Sequence, residues 1–224
     1  MLQNEDTRLL ESRLEFFPHL EERDKRLVLE NSALLRFAKG DTVYGAGTEC
    51  LGVLVVKKGL LRAYILSEEG REVTLYKIYP GEVCVLSASC ILASITFDVH
   101  IEAEEDSEVL LLNIAAFSGI SQRNVYAENF SLNNAVERFS EVMGAMEQIL
   151  FSSLERRLAG FLLEEAARSK GPKLELTHEQ IARNIGSVRE VISRQLKLFS
   201  EAGLVRLGRG RIELLNEKGL EEYL

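Results

Sequence analysis

The 224-residue sequence predicts an α+β fold in three parts: an N-terminal antiparallel β jelly roll, a long dimerisation helix and a C-terminal winged helix-turn-helix. Three observations carry this. Short apolar runs punctuated by glycine turns fill residues 34–115. Leu132, Val136, Phe139, Met143, Met146 and Leu150 recur at alternating spacings of four and three. Thr177–Arg194 carries the capping, small-residue and turn signals of two helices crossing at a tight turn.

An amphipathic helical start covers about residues 4–31. The roll is then read from Leu34–Ala38, Leu51–Val56, Leu60–Leu66, Val73–Ile78 and Val109–Ile114. Glycine turns separate these runs: Lys39-Gly40-Asp41, Gly45-Ala46-Gly47, Lys58-Gly59, Glu68-Glu69-Gly70 and Pro80-Gly81. The seam helix runs from about 121 to 150. It could pack on its own roll, but the strict alternation favours a partner helix. Polar residues interrupt the pattern near 151–153, where a hinge is expected before a second helix, Ser153–Ser169. The expected domains are 1–120 (effector-sensing roll), 121–152 (dimerisation helix and hinge) and 153–224 (winged helix).

In the C-terminal part, Thr177 and Gln180 form a capping box that sets the start of the first helix. Ala182 allows close helix crossing, Gly186 permits the turn, and Ile181, Ile185 and Ile192 are spaced to form a small core. The second helix opens with Arg189, Glu190, Ser193 and Arg194 on its outer side. Arg can grip G O6/N7 and Glu can accept from C N4, each good pair giving about 1–3 kcal/mol of discrimination. The competing reading is a surface helix with a Glu190–Arg194 i,i+4 pair. Leu204-Val205 and Ile212-Glu213-Leu214, joined through Gly208-Arg209-Gly210, read as a wing whose Arg209 and Arg211 neutralise phosphates or simply decorate a solvated turn. The candidate DNA-contacting set is Thr177, Ser187, Arg189, Glu190, Ser193, Arg194, Arg209 and Arg211.

Charge agrees. Residues 183–211 hold seven basic and two acidic side chains, whereas the whole chain carries a net −8. An acidic protein with one basic island binds nucleic acid at that island, not as a nonspecific coat. There is no apolar run of about 18 residues, and the N-terminus lacks a basic and an apolar signal region, so a cytoplasmic protein without a membrane partner is expected. Three cysteines (Cys50, Cys84, Cys90) without C-x-x-C spacing argue against a disulfide framework. Three histidines (His19, His100, His178) without metal-ligand spacing leave no candidate metal site and no catalytic residue.

With these residues in view, the chain resembles the cyclic-AMP receptor protein/FNR (Crp/Fnr) family of bacterial transcription regulators. The resemblance rests on Phe37-Ala38-Lys39-Gly40, Val56-Lys57-Lys58-Gly59, Glu69-Gly70-Arg71-Glu72, Pro80-Gly81-Glu82 and the winged helix. It implies a cyclic-nucleotide-binding-like roll, a parallel homodimer presenting two reading helices to a palindromic site, and RNA polymerase as a partner. Arg189–Arg194 combines the R-E-x-x-x-R set of one branch with the E-x-x-S-R set of the other, implying half-sites like TGTGA or TTGAT.

One departure matters. Family members that bind cyclic nucleotides follow Gly-Glu with a ribose-binding Glu and a phosphate-binding Arg-Ser, whereas no arginine stands between Glu82 and Gln122. A buried phosphate without a cation would carry a large desolvation cost, so cyclic AMP is not expected as the effector. The segment Val83–Val99 is instead apolar and small. It reads as core packing with inert cysteines, as a pocket for haem or another apolar ligand using Cys84, Cys90 or His100, or as a thiol redox sensor. No cysteine precedes Cys50, against an iron–sulfur cluster of the family's oxygen-sensing type. The family's central helix also closes over the effector, which by its spacing places Val142 and Met143 there. The candidate effector set is Gly81, Glu82, Cys84, Ser87, Cys90, Thr96, Val142 and Met143, and the candidate dimer set is Leu132, Val136, Phe139, Met143, Met146 and Leu150. Rival readings are a cupin-type enzyme on the same roll and a small-molecule-binding module without DNA activity.

Overall fold

The computed structural model describes residues 2–45, 51–85 and 99–224. The described residues fall into two compact units. The first comprises residues 1–66 and 75–142, the second residues 67–74 and 143–224.

In the first unit the helical start is not one helix. It divides into α1 (Asn4–Arg13), a 3₁₀ turn (Phe17–His19) and α2 (Glu22–Glu30). Pro18 lies within that turn, where its fixed φ and missing N–H end regular α-helix. Among the described residues eight strands follow: β1 (Ser32–Phe37), β2 (Thr42–Tyr44), β3 (Gly52–Lys58), β4 (Leu61–Leu66), β5 (Glu72–Ile78), β6 (Val83–Cys84), β7 (His100–Ala103) and β8 (Ser107–Asn113). They form two four-stranded sheets, ordered β1-β8-β3-β6 and β2-β7-β4-β5, with antiparallel pairing. This is the expected jelly roll.

Strand β3 shows how the unit is organised. Its residues 52–56 are all buried because both faces are covered. Val53 and Val55 face a cluster with Leu10, Leu14, Phe16, Phe117 and Phe130 from the flanking helices. Leu54 and Val56 face the roll interior with Leu61, Ala63, Ile78, Ile101 and Val109. The period-two alternation of a strand thus joins two cores. Gly52 has φ +134, and a Cβ there would sit 1.9 Å from the Leu112 carbonyl oxygen. Gly52→Ala is therefore expected to cost about 2–4 kcal/mol in urea denaturation, from backbone strain plus overlap.

Helix α1 is tied to the roll by Lys57, whose Nζ donates to Asp6 Oδ1 at 2.6 Å. That bond holds the buried Asp6 carboxyl below its ordinary range. A carboxylate with a depressed folded pKa contributes stability that is present above its unfolded pKa and is lost as pH falls through the folded one. The stability difference between wild type and Asp6→Asn should accordingly shrink on acidification below about pH 4, as thermal melts can measure.

Strand β8 ends earlier than the run to Ile114 suggests. Asn113 Oδ1 accepts the Ala115 N–H at 2.8 Å and caps α3 (Ile114–Ser121). Helix α4 (Val125–Phe151) follows, crossing from the first unit into the second. Next come α5 (Leu154–Ser169), N-capped by Ser153, then β9 (Lys173–Leu174), α6 (His178–Ile185), α7 (Arg189–Glu201), β10 (Val205–Gly208), β11 (Arg211–Leu214) and α8 (Glu217–Glu221). Leu158, Leu162, Ile181, Ile185, Ile192, Leu196, Phe199, Val205 and Ile212 share one buried core. Among the described residues no helix is long and apolar enough to cross a membrane.

Candidate nucleic-acid interface

The α6–turn–α7 pair is built by the residues that the sequence marks. Thr177 Oγ1 accepts the Gln180 N–H at 3.2 Å, and Gln180 Oε1 accepts the Thr177 N–H at 2.8 Å. Ile181, Ala182 and Ile185 are buried under α7, where Ile192, Leu196 and Phe199 meet them. Gly186 closes α6 in the left-handed region at φ +65. A Cβ there would lie 2.8 Å from Ile149 Cδ1, a side-chain end that can shift, so it is the left-handed backbone that favours glycine. Arg71 Nη2 also donates to the Gly186 carbonyl at 2.8 Å, a support that sequence reading missed.

The reading side chains stand clear of that core. Arg189, Glu190 and Arg194 are exposed and Ser193 is half-buried, all in the first turns of α7. Ser187, in the turn, is half-buried. The i,i+4 ion pairs in this unit are Arg183–Glu179 at 3.6 Å and Lys197–Glu201 at 3.8 Å. Among the described residues Glu190 and Arg194 are not paired with each other.

Strands β10 and β11 pair from Val205↔Leu214 to Gly208↔Arg211, leaving Arg209-Gly210 as the turn, and β9 adds a third strand. The two wing arginines diverge. Arg209 joins Leu176, Thr177, His178, Glu179, Arg189, Gly208 and Gly210 around a groove of 490 Å³. Arg211 instead lines a smaller cleft with Lys173, Arg206 and Glu213. The groove thus collects the first helix start, the reading helix start and the wing turn. His178, which the sequence offers only as one of three histidines without metal-ligand spacing, lies in it half-buried. Burial, and then the charge of Arg189, hold its pKa below the ordinary histidine value.

Comparison with known proteins agrees with this geometry. A Crp-like helix-turn-helix domain matches residues 156–223, and a cyclic nucleotide-binding domain matches residues 34–124. A Crp/Fnr-family protein of Eubacterium rectale is 41% identical, with a TM-score of 0.91, covering 95% of this chain and 98% of that one. This chain belongs to the Crp/Fnr family of transcription regulators. The "Cyclic AMP receptor protein" of Thermus thermophilus is 27% identical over 187 residues, 83% of this chain and 85% of its own. The "Transcriptional regulator SdrP" of the same organism is 28% identical over 180 residues, 75% and 81% respectively. These relatives are regulators and not enzymes, so the cupin reading is set aside.

On the roll of this Crp/Fnr regulator, the candidate effector residues are only partly brought together. Ser87, Cys90 and Thr96 lie outside the described residues, as does Cys50. Gly81 takes φ +86, beside the Arg13 guanidinium. Glu82 Oε2 accepts the Tyr79 N–H at 3.2 Å. Cys84 is buried beside Tyr76, whose phenol is pushed well up by burial, with Cys84 adding to the effect. His100 stacks on Tyr64 at 5.2 Å. Val142 packs against the roll interior, whereas Met143 is 45% exposed.

The sequence reading also overlooked a cation. Arg138, on α4, is buried at 5% exposure. Its Nη2 donates to the Val83 carbonyl at 3.0 Å, and its Nη1 meets Glu141 at 2.7 Å. Asn134, one turn earlier, clamps the same segment by accepting the Val85 N–H at 3.1 Å and donating to the Val83 carbonyl at 3.3 Å. Arg138 thus brings a guanidinium to the β6 segment from another element, where Glu141 engages it.

Along the other side of α4, Leu132, Val136, Phe139, Met143, Met146 and Leu150 are 45–66% exposed. Ala127, Phe130, Ser131, Asn134 and Arg138 form its buried side.

Proposed function

We propose that this Crp/Fnr regulator acts as a homodimer, joined through the exposed α4 stripe, that binds a palindromic DNA site under control of an effector other than cyclic AMP. The observation that carries the reading is the unpaired, exposed Arg189–Glu190–Arg194 set at the start of α7, beside a groove that reaches the wing. Arg189, Glu190, Ser193 and Arg194 read base edges. Thr177, Ser187, Arg209 and Arg211 contact phosphates and set register, which carries no sequence information by itself. Half-sites resembling TGTGA or TTGAT follow from the reading set. Residues 1–120 sense the effector, 121–152 dimerise and hinge, and 153–224 bind DNA, in the cytoplasm and with RNA polymerase as the further partner.

An effector need only bind the DNA-competent arrangement better than the other. Haem or another apolar molecule suits the small, apolar residues after Glu82. A second reading, cyclic AMP itself, is favoured by Arg138 against Val83 and by the cyclic AMP receptor among the relatives. Titration calorimetry decides between them: no heat of binding with cyclic AMP is expected, and tight binding would replace the first reading by the second. Absorbance and mass spectrometry of the purified protein would then identify a co-purifying ligand. Arg209→Ala should weaken binding to all duplexes alike and lower the salt slope by about one; a loss confined to one sequence would contradict its role.

A further inference from the structure

We infer that DNA binding by this chain takes up a proton at His178, which serves as a titratable phosphate contact in the groove between the reading helix and the wing. The inference rests on the DNA backbone lying along that groove, as proposed above.

His178 is the first residue of α6 and is half-buried among groups from three elements. On α6 the neighbours are Thr177, which is occupied by the capping box, and Glu179, which pairs with Arg183 at 3.6 Å. From α7 comes Arg189, and from the wing turn Arg209 with the backbone of Gly208 and Gly210. Glu179, although paired with Arg183, also lines the groove, so one carboxylate stands there against the guanidinium groups of Arg189 and Arg209. Burial first, and then the charge of Arg189, disfavour a positive charge on the imidazole in the empty groove. A DNA phosphate reverses that balance, since an anion in the groove favours imidazolium and accepts its N–H.

The sign follows. Below the pKa of the free protein, His178 is charged in both states, and above the pKa of the complex it is neutral in both. Between the two, affinity falls as pH rises, by up to about tenfold per pH unit per protomer. DNA occupancy thereby acquires a dependence on cell pH that an arginine or lysine at this position would not give.

The experiment is fluorescence anisotropy of a labelled random-sequence duplex at low salt, with the full chain and with His178→Gln and His178→Arg, from about pH 5 to about pH 8. The contact is to phosphate, so no operator is required. Wild-type affinity should rise on acidification more steeply than that of either variant, the difference corresponding to about one proton per protomer. Among the three histidine resonances, the one missing in His178→Gln should titrate at higher pH when duplex is added. Parallel affinity–pH curves for wild type and both variants, or a His178 midpoint that stays or falls with DNA, would overturn the inference. Absence of duplex binding by wild type at every pH would overturn the interface itself, a separate outcome.

Discussion

Phe139→Asp should abolish the proposed dimer and leave monomers. Phe139 is 64% exposed in the middle of the α4 stripe, flanked one helical turn away on either side by Val136 and Met143 at 66% and 45%. A stripe of six large apolar side chains at a/d spacing is a seam that needs a partner helix. Removing an aromatic anchor from such a seam costs about 2 kcal/mol or more, and burying an unpaired carboxylate in its place adds a desolvation cost. The dimer dissociation constant should therefore rise by at least about 30-fold, measured by sedimentation equilibrium. Because the position is exposed in the single chain, the monomer should keep its helical circular dichroism. Palindromic DNA should then bind with the affinity of one half-site, since linkage of two sites is what raises the affinity of both. A variant that remains dimeric would remove α4 as the interface.

The second large effect is at the reading helix. Arg189→Ala and Arg194→Ala should each cost about 1–3 kcal/mol on the preferred site and leave random duplex much less affected, so that the specificity ratio falls. Both side chains are exposed and unburdened by core packing, so the fold should be unchanged. A competition assay of specific against random duplex separates these variants from Arg209→Ala, which should lower both together. Equal losses on both duplexes from all three variants would refute the division into base readers and phosphate contacts.

Much of this was legible in sequence because the strongest signals are local. The capping box at Thr177 and Gln180, the left-handed Gly186 and the a/d seam each follow from spacing within a few residues, and the structure reproduces the first two atom by atom. What escaped reading depends on distant partners or on very short elements. Strands β2, β6, β7 and β9 have only two to four residues, too few for periodicity to register. Helix α3 shows no polar–apolar period at Ile114-Ala115-Ala116-Phe117, and its mark in the sequence is the Asn113 cap. Arg138 and Asn134 occupy the side of α4 away from the apolar seam, so a reading keyed to apolar repeats passes over them. Their i,i+4 spacing was the available signal, and only the roll's β6 segment gives it meaning. His178 stands in the sequence as a histidine without metal-ligand spacing, and its neighbours Arg189 and Arg209 are distant in sequence. The candidate reading helix is thus legible where chemistry and spacing coincide, and the candidate effector set is not, because its side chains converge from separate strands and a helix.

The most direct test of the central claim is chromatin immunoprecipitation of the tagged full chain from its native cells, where the effector pool is present, with sequencing of the recovered DNA. Enriched segments should centre on a palindrome whose TGTGA-like or TTGAT-like half-sites are about one helical turn, roughly 34–36 Å, apart, and the Arg189→Ala/Arg194→Ala double variant should lose that enrichment. Recovery of no defined segments, of sites without two-fold symmetry, or of the same sites with the double variant would contradict it.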